Sequence, residues 1–383
     1  HHFVDLLNMF SKEHQTSTEL RNIPYCDQII IAMLLVIIIA VPLYFDIHLH
    51  SVFDLSKITI LYVLTFAILT IWSIKTIINC RQIRPEFTVI DRDNQIQQYL
   101  RQPLILPILA FLFVSGFATV FSINPYLSLV GTYKRYGGFL STIVYISLFF
   151  TIVHFIDKKR LNALCNAIIL TAGFSSVYGI LQHFGLDLYH WSTSFGFGIR
   201  VSATFGHPAF FSAFLIMVIP LVLIKIFSDT PEQNCRASSD FRRSTFLYMG
   251  ILSLLIVAFY YTKTRASFLG LLISNIFFFS LIGKKSLLTN KIKTIITATI
   301  IIGLSIFFNV SDRTSVIGRF IDDIEPALLD SERPHPFLEN SYEEIGIVSK
   351  LRSSVFLRVF QYMTGREIIY DYPVLGIGPE TLG

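Results

Sequence analysis

Gln28-Ile-Ile-Ile-Ala-Met-Leu-Leu-Val-Ile-Ile-Ile-Ala-Val-Pro-Leu-Tyr-Phe-Asp-Ile47 is an almost unbroken apolar run of 20 residues. A helix needs ~20 such residues to cross the hydrocarbon of a bilayer. Eight further runs follow: Ile58–Ile78, Leu104–Ile123, Phe139–Ile156, Leu161–Phe184, Ala209–Phe227, Phe246–Tyr261, Ala266–Ile282 and Ile292–Asn309. None alternates polar and apolar residues as a barrel strand does. A backbone in lipid must satisfy its own hydrogen bonds, so each run predicts a helix. The expected fold is all-α: a polytopic transmembrane helical bundle with nine spans visible and more downstream.

Composition points the same way. The 383 residues are 53% hydrophobic and 15% charged, with a mean hydropathy of +0.60. A soluble domain carries roughly 25% charged residues. The net charge of +5 does not imply nucleic acid, because most lysines and arginines sit in short loops beside apolar runs. No small-residue cleavage site follows the first run, so no signal peptide is expected. The chain begins His1-His2 without a methionine and stops at Gly383 inside a glycine-rich motif. A fragment, truncated at its C-terminus, is the expectation. The four cysteines include no CxxC pair, which predicts neither a disulfide framework nor a zinc site.

Positive charge sets the expected orientation. With the N-terminus cytoplasmic, 18 Lys and Arg fall in inner segments and 6 in short outer loops. The division read from this is a cytoplasmic segment 1–27, a transmembrane domain 28–309 and an extracytoplasmic loop 310–383. That loop is acidic and proline-rich from Asp322 to Glu344. From Leu351 to Tyr370 it predicts an amphipathic helix, with Leu351, Val355, Val359, Tyr362, Met363, Arg366 and Ile369 on one face. Asp371-Tyr372-Pro373 ends the helix and Gly376-Ile377-Gly378-Pro379 forms a turn.

No Asp or Glu lies in the core of any span. Ion-coupled transport usually needs such groups at mid-membrane, so a pump is disfavoured. No Walker lysine and no HExxH pair is present, and no outer DxD-like pair offers metal ligands. No metal and no cofactor is expected.

Two arginines stand against the charge bias. Arg200 lies in Gly198-Ile-Arg-Val-Ser-Ala-Thr-Phe-Gly-His-Pro208, and Arg265 in Tyr261-Thr-Lys-Thr-Arg-Ala-Ser267. Ser202 and Thr204 follow Arg200, and His207-Pro208 opens the sixth span. Arginine, hydroxyls and a helix start together suit a phosphate or diphosphate. Lys263 adds charge to the turn of Arg265, and a guanidinium can hold two phosphate oxygens at once. The competing reading is snorkelling to lipid headgroups. A third patch, Gly131-Thr-Tyr-Lys-Arg-Tyr-Gly-Gly138, offers Lys134 and Arg135 to an anion and Tyr133 or Tyr136 to a sugar ring; as interfacial tyrosines they equally anchor the membrane boundary. His207 is the histidine nearest Arg200 and a candidate for lining the site.

Those segments, in order, resemble the bacterial O-antigen ligase and O-antigen polymerase family. Ser122-Ile123-Asn124-Pro125 through Gly138 is similar to its outer-loop motif. Arg200 through Pro208 is similar to a segment ending Gly-Asn-Pro-Asn, with His207 in place of asparagine. Thr262 through Ser267 is similar to Thr-x-Ser-Arg-Gly, with Thr264 for serine and Ala266 for glycine. Arg358 through Pro379 resembles the run before the family's later spans. The resemblance implies an inverting, metal-independent glycosyltransferase of the bacterial inner membrane with its active side periplasmic. It implies that Arg200 and Arg265 bind the diphosphate of an undecaprenyl-diphosphate-linked glycan, which passes to a lipid or glycan acceptor in lipopolysaccharide or polysaccharide biosynthesis. The family's histidine base is expected beyond Gly383. Ligase, polymerase and protein oligosaccharyltransferase share these features. A lipid-linked glycan flippase or exporter, or a membrane scaffold with an outer cap, remains the alternative of another class.

Overall fold

The computed structural model describes residues 24–49, 51–82, 104–133, 135–187, 189, 200–228, 238–310, 353–373 and 376–380. Among these there is no strand. In chain order the helices are α1 (Pro24–Leu43), α2 (Asp54–Gln82), α3 (Ile105–Val120), α4 (Pro125–Val130), α5 (Phe139–Phe155) and α6 (Lys158–His183). They continue with α7 (Pro208–Ser228), α8 (Ser238–Tyr261), α9 (Arg265–Thr289), α10 (Lys291–Val310) and α11 (Ser353–Asp371).

Every apolar run becomes a helix. Six are long and apolar enough to cross a membrane: Tyr25–Leu43, Asp54–Ile78, Lys158–His183, Pro208–Phe227, Arg265–Ile282 and Lys291–Phe308. Three shorter apolar helices, Ile105–Val120, Phe139–Phe155 and Thr245–Tyr261, occupy the other three runs. At ~1.5 Å per residue, the 16 residues of α3 fall short of the ~30 Å hydrocarbon layer. Several helices continue past their apolar runs. α8 starts at Ser238 rather than Phe246, and α2 and α9 continue to Gln82 and Thr289. Hydropathy marks where lipid ends, whereas helical hydrogen bonding continues into the polar flank.

The lipid-facing surface is explicit on α9. Leu269, Leu272, Ile273, Ile276 and Phe277 are all exposed, at the spacing of one helical face. A stripe of this kind is untenable in water and is what a bilayer requires. The chain is a multi-pass membrane protein.

Two compact units divide the chain: His1–Ala167 with Ile368–Gly383, and Ile168–Glu367. In the first, α1 packs on α2 and both meet α5 around Ile30, Leu34, Ile68 and Val144. An ion pair from Lys75 to Asp27 at 2.5 Å ties α2 to the first turn of α1. Tyr62 Oη and Ser141 Oγ share a hydrogen bond of 2.7 Å between α2 and α5.

In the second unit α7 is the central helix. It packs on α8, on α9 and on a 3-10 turn at Ala203–Phe205. Half of its apolar stretch is buried, against 6% for α10, so α7 makes the core and α10 the periphery. Phe211, Leu215, Val222 and Leu223 are enclosed with Leu252, Leu255 and Phe259.

α11 ends at Asp371, where the sequence predicts a stop. Of its expected apolar face, the described side chains of Tyr362, Met363 and Ile369 are exposed. The acidic stretch 322–344 lies outside the described residues.

Candidate functional site

Arg200 leaves the chain just before the 3-10 turn of the second unit. Its Nε donates to the Thr262 carbonyl at 3.0 Å and one Nη to Thr264 Oγ1 at 3.1 Å. Next to it, Val201 N donates to the Tyr261 carbonyl at 3.1 Å. The segment of Arg200 is thus fastened to the turn between α8 and α9. Thr264 Oγ1 donates in turn to the Thr262 carbonyl at 3.2 Å, so that carbonyl accepts twice.

This turn sorts its side chains by polarity. Thr262 and Thr264 are buried, while Lys263 and Arg265 stay half-buried at the surface. Lys263 takes a left-handed backbone with φ 47°, which reverses the chain tightly enough for α9 to begin at Arg265. Neighbouring Cα atoms lie ~3.8 Å apart. The Arg265 backbone therefore starts one residue from the hydroxyl that Arg200 holds, and the two arginines share one end of one unit. A further bond, Ser212 Oγ to Ser267 Oγ at 2.7 Å, joins α7 to the first turn of α9.

The last turn of α6 supplies a support that sequence reasoning missed. Gln182 Oε1 accepts from Ser202 N at 3.2 Å and from Ala203 N at 3.0 Å. Its Nε2 donates to Asp187 Oδ2 at 3.0 Å, and Tyr178 Oη donates to Asp187 Oδ1 at 2.6 Å. Alongside, His183 stacks on Tyr261 with ring centroids 3.7 Å apart. Ser202 and Ala203 are buried, so no water can replace the glutamine. Gln182→Leu leaves two buried N–H groups without an acceptor, at about 1–3 kcal/mol each. Thermal unfolding in detergent should show Gln182→Leu clearly below the parent chain; an unchanged midpoint would contradict the bridging role.

His207 precedes α7, and its Nδ1 accepts from Ala209 N at 3.1 Å. This is an N-cap, with Pro208 in the first helical position. Asn124 does the same for α4: its Oδ1 accepts from Leu127 N at 3.2 Å, with Pro125 following. The imidazole of His207 performs the capping that an asparagine would. Burial first, and the Arg200 charge second, lower the His207 pKa from its ordinary value. The neutral ring is the form whose Nδ1 can accept. Ser202 and Thr204, expected beside Arg200 in the anion cradle, are buried. The α7 start is also already served by its own histidine.

Tyr133 and Arg135 belong to the first unit, on the loop between α4 and α5, and both are exposed. Lys134 lies outside the described residues. The Tyr133 and Tyr136 rings meet edge-on at 5.9 Å. The same unit contains the turn 376–380, and Glu380 of that turn binds Thr132 through N at 2.8 Å and Oγ1 at 2.7 Å. Glu380 escaped the sequence reading because its partner is 248 positions away; the glycines around it were the available signal.

Residues 250–382 match the family described as O-Antigen ligase. The match takes in Lys263, Arg265, α9, α10, α11 and Glu380; Arg200 and the 122–138 loop lie before it. No curated protein and no solved structure matches the chain.

Proposed function

With an O-antigen ligase family domain at residues 250–382 as premise, we propose that this membrane protein transfers a glycan from an undecaprenyl-diphosphate carrier to an acceptor hydroxyl. The hydroxyl oxygen attacks the anomeric carbon, the carbon–oxygen bond to the diphosphate breaks, and a base takes the hydroxyl proton. Inversion at that carbon and independence of metal belong to this reading. Arg200 and Arg265 hold the diphosphate and stabilise the charge that grows on it as it leaves. Lys263 adds to the local potential, and His207 lines the site as the cap of α7. Separately, on the loop of the first unit, Lys134 and Arg135 are candidates to meet an anionic group and Tyr133 to stack on a sugar.

The observation that carries the proposal is the fastening of Arg200 to the turn of Arg265 through Thr262 and Thr264. A guanidinium fixed to the turn from which the helix of Arg265 starts is held in place for an anion, whereas a headgroup-snorkelling arginine has no need of two protein acceptors. The test is glycan transfer by purified chain in detergent, where export has no readout: Arg200→Ala and Arg265→Ala should each lose transfer while membrane insertion is kept. Transfer surviving both changes sinks the mechanism.

Orientation is a separate proposal, with the N-terminus cytoplasmic and the arginine end periplasmic in the inner membrane. Alkaline phosphatase fused after Val310 should be active in cells. An inactive fusion, with stable protein, would invert the topology.

A further inference from the structure

We propose that Glu380 is a positioning residue for substrate binding, acting through Thr132 on the loop that carries Tyr133, Arg135 and Tyr136. The proposal rests on the reading above that this loop meets substrate.

Thr132 is the hub of the loop. Its N and Oγ1 both donate to Glu380 Oε2, at 2.8 and 2.7 Å. Its carbonyl accepts from Arg135 N at 3.0 Å and from Tyr136 N at 2.8 Å. One carboxylate oxygen therefore fixes Thr132, and Thr132 fixes the backbone of Arg135 and Tyr136. Tyr136 needs the help, since its φ of 50° is a region that bulky residues avoid. Its carbonyl also accepts from Ser141 Oγ, which anchors the far side of the loop on α5.

The turn that presents Glu380 is itself seated. Ser122 Oγ donates to the Ile377 carbonyl at 2.8 Å and pairs with Ser128 Oγ at 2.6 Å. On the loop side, a Cβ at Gly137 would lie 2.4 Å from Glu380 Oε1, so a side chain there would push the carboxylate aside. Glu380 holds a left-handed backbone with φ 57°, a strained state that persists only where surrounding contacts over-determine it. A spacer turn has no need of a carboxylate that accepts from both donors of one threonine. A charged acceptor makes hydrogen bonds roughly twice as strong as a neutral one, so the carboxylate is suited to hold the loop still against a moving substrate.

The experiment uses the full chain in detergent. Hydrogen–deuterium exchange across residues 131–138 reads the clasp without any substrate, and steady-state transfer from undecaprenyl-diphosphate-linked glycan reads its consequence. Glu380→Gln keeps shape and removes charge; Thr132→Val removes the hydroxyl donor; Thr132→Ser keeps both donors. The first two should speed exchange of the loop about tenfold and raise the donor KM about tenfold, with kcat within about twofold. Thr132→Ser should match the parent chain in both. Unchanged exchange in Glu380→Gln overturns the clasp. Faster exchange with an unchanged donor KM overturns its role in binding and leaves a structural tie. Full transfer by Arg265→Ala would sink the transferase reading instead, and the exchange result would still decide whether the clasp exists.

Discussion

Arg200→Ala is expected to reduce glycan transfer by at least about a hundredfold, the size typical of removing one preorganised donor from a developing anion. Two effects add. In the proposed mechanism the leaving diphosphate loses a cation, and the Thr262 carbonyl and Thr264 hydroxyl lose the donors that reach them at 3.0 and 3.1 Å. Two further variants separate the effects. Arg265→Ala removes charge while leaving the bonds of Arg200 to Thr262 and Thr264 in place, so its loss reports charge at the site. Arg200→Lys keeps the charge, but a single ammonium cannot reproduce the planar fork that spans Thr262 and Thr264. It should recover only a minor part of the activity. Transfer rates, with circular dichroism to show retained helix, check all three. Full activity in Arg200→Lys would mean that net charge alone matters and that the fork geometry does not.

Gly378→Val is expected to unseat the 376–380 turn. A Cβ at this position would lie 2.3 Å from Ser122 Oγ and 2.5 Å from Ser128 Oγ. Those hydroxyls are bonded to each other, and Ser122 Oγ also donates to the Ile377 carbonyl, so Ser122 cannot swing away without breaking that seat. The φ of 101° at Gly378 adds strain that valine cannot relieve. Overpacking costs about 1–3 kcal/mol and an unsuitable backbone region about 1–3 more. The readout is protease susceptibility near residue 378 together with the thermal midpoint in detergent. Cleavage at the parent rate with an unshifted midpoint would show that the turn does not sit against Ser122 and Ser128.

The helices were legible because their cause is local. An apolar run such as Leu104–Ile123 has only one way to satisfy its backbone in lipid, whatever the rest of the chain does. Helix ends were less legible where polar flanks, such as Ser238–Arg243, continue the helix beyond the bilayer signal. Arg200 and Arg265 stood out individually as cations on the wrong side of the charge distribution. The fastening of Arg200 to the turn before Arg265 did not, because nothing in the spacing of 200 and 265 states that Thr262 and Thr264 would become acceptors. The burial of the hydroxyls beside Arg200 was not legible for a related reason: in a short segment, a buried serine and an exposed one look the same. His207 stands where the resemblance led us to expect asparagine, and its Nδ1 accepts from Ala209 N as a cap, a bond the sequence did not reveal.

Residue order alone determined that this is an all-helical membrane protein and roughly where each helix runs. Apolar transfer and backbone satisfaction act within one segment, so they are written along the chain. Tertiary packing decided which polar groups meet: Arg200 with Thr262 and Thr264, Gln182 with the amides of Ser202 and Ala203, Glu380 with Thr132. A hydrogen bond depends on a few ångströms between groups that the chain may bring from 248 positions apart, and no local pattern encodes that distance.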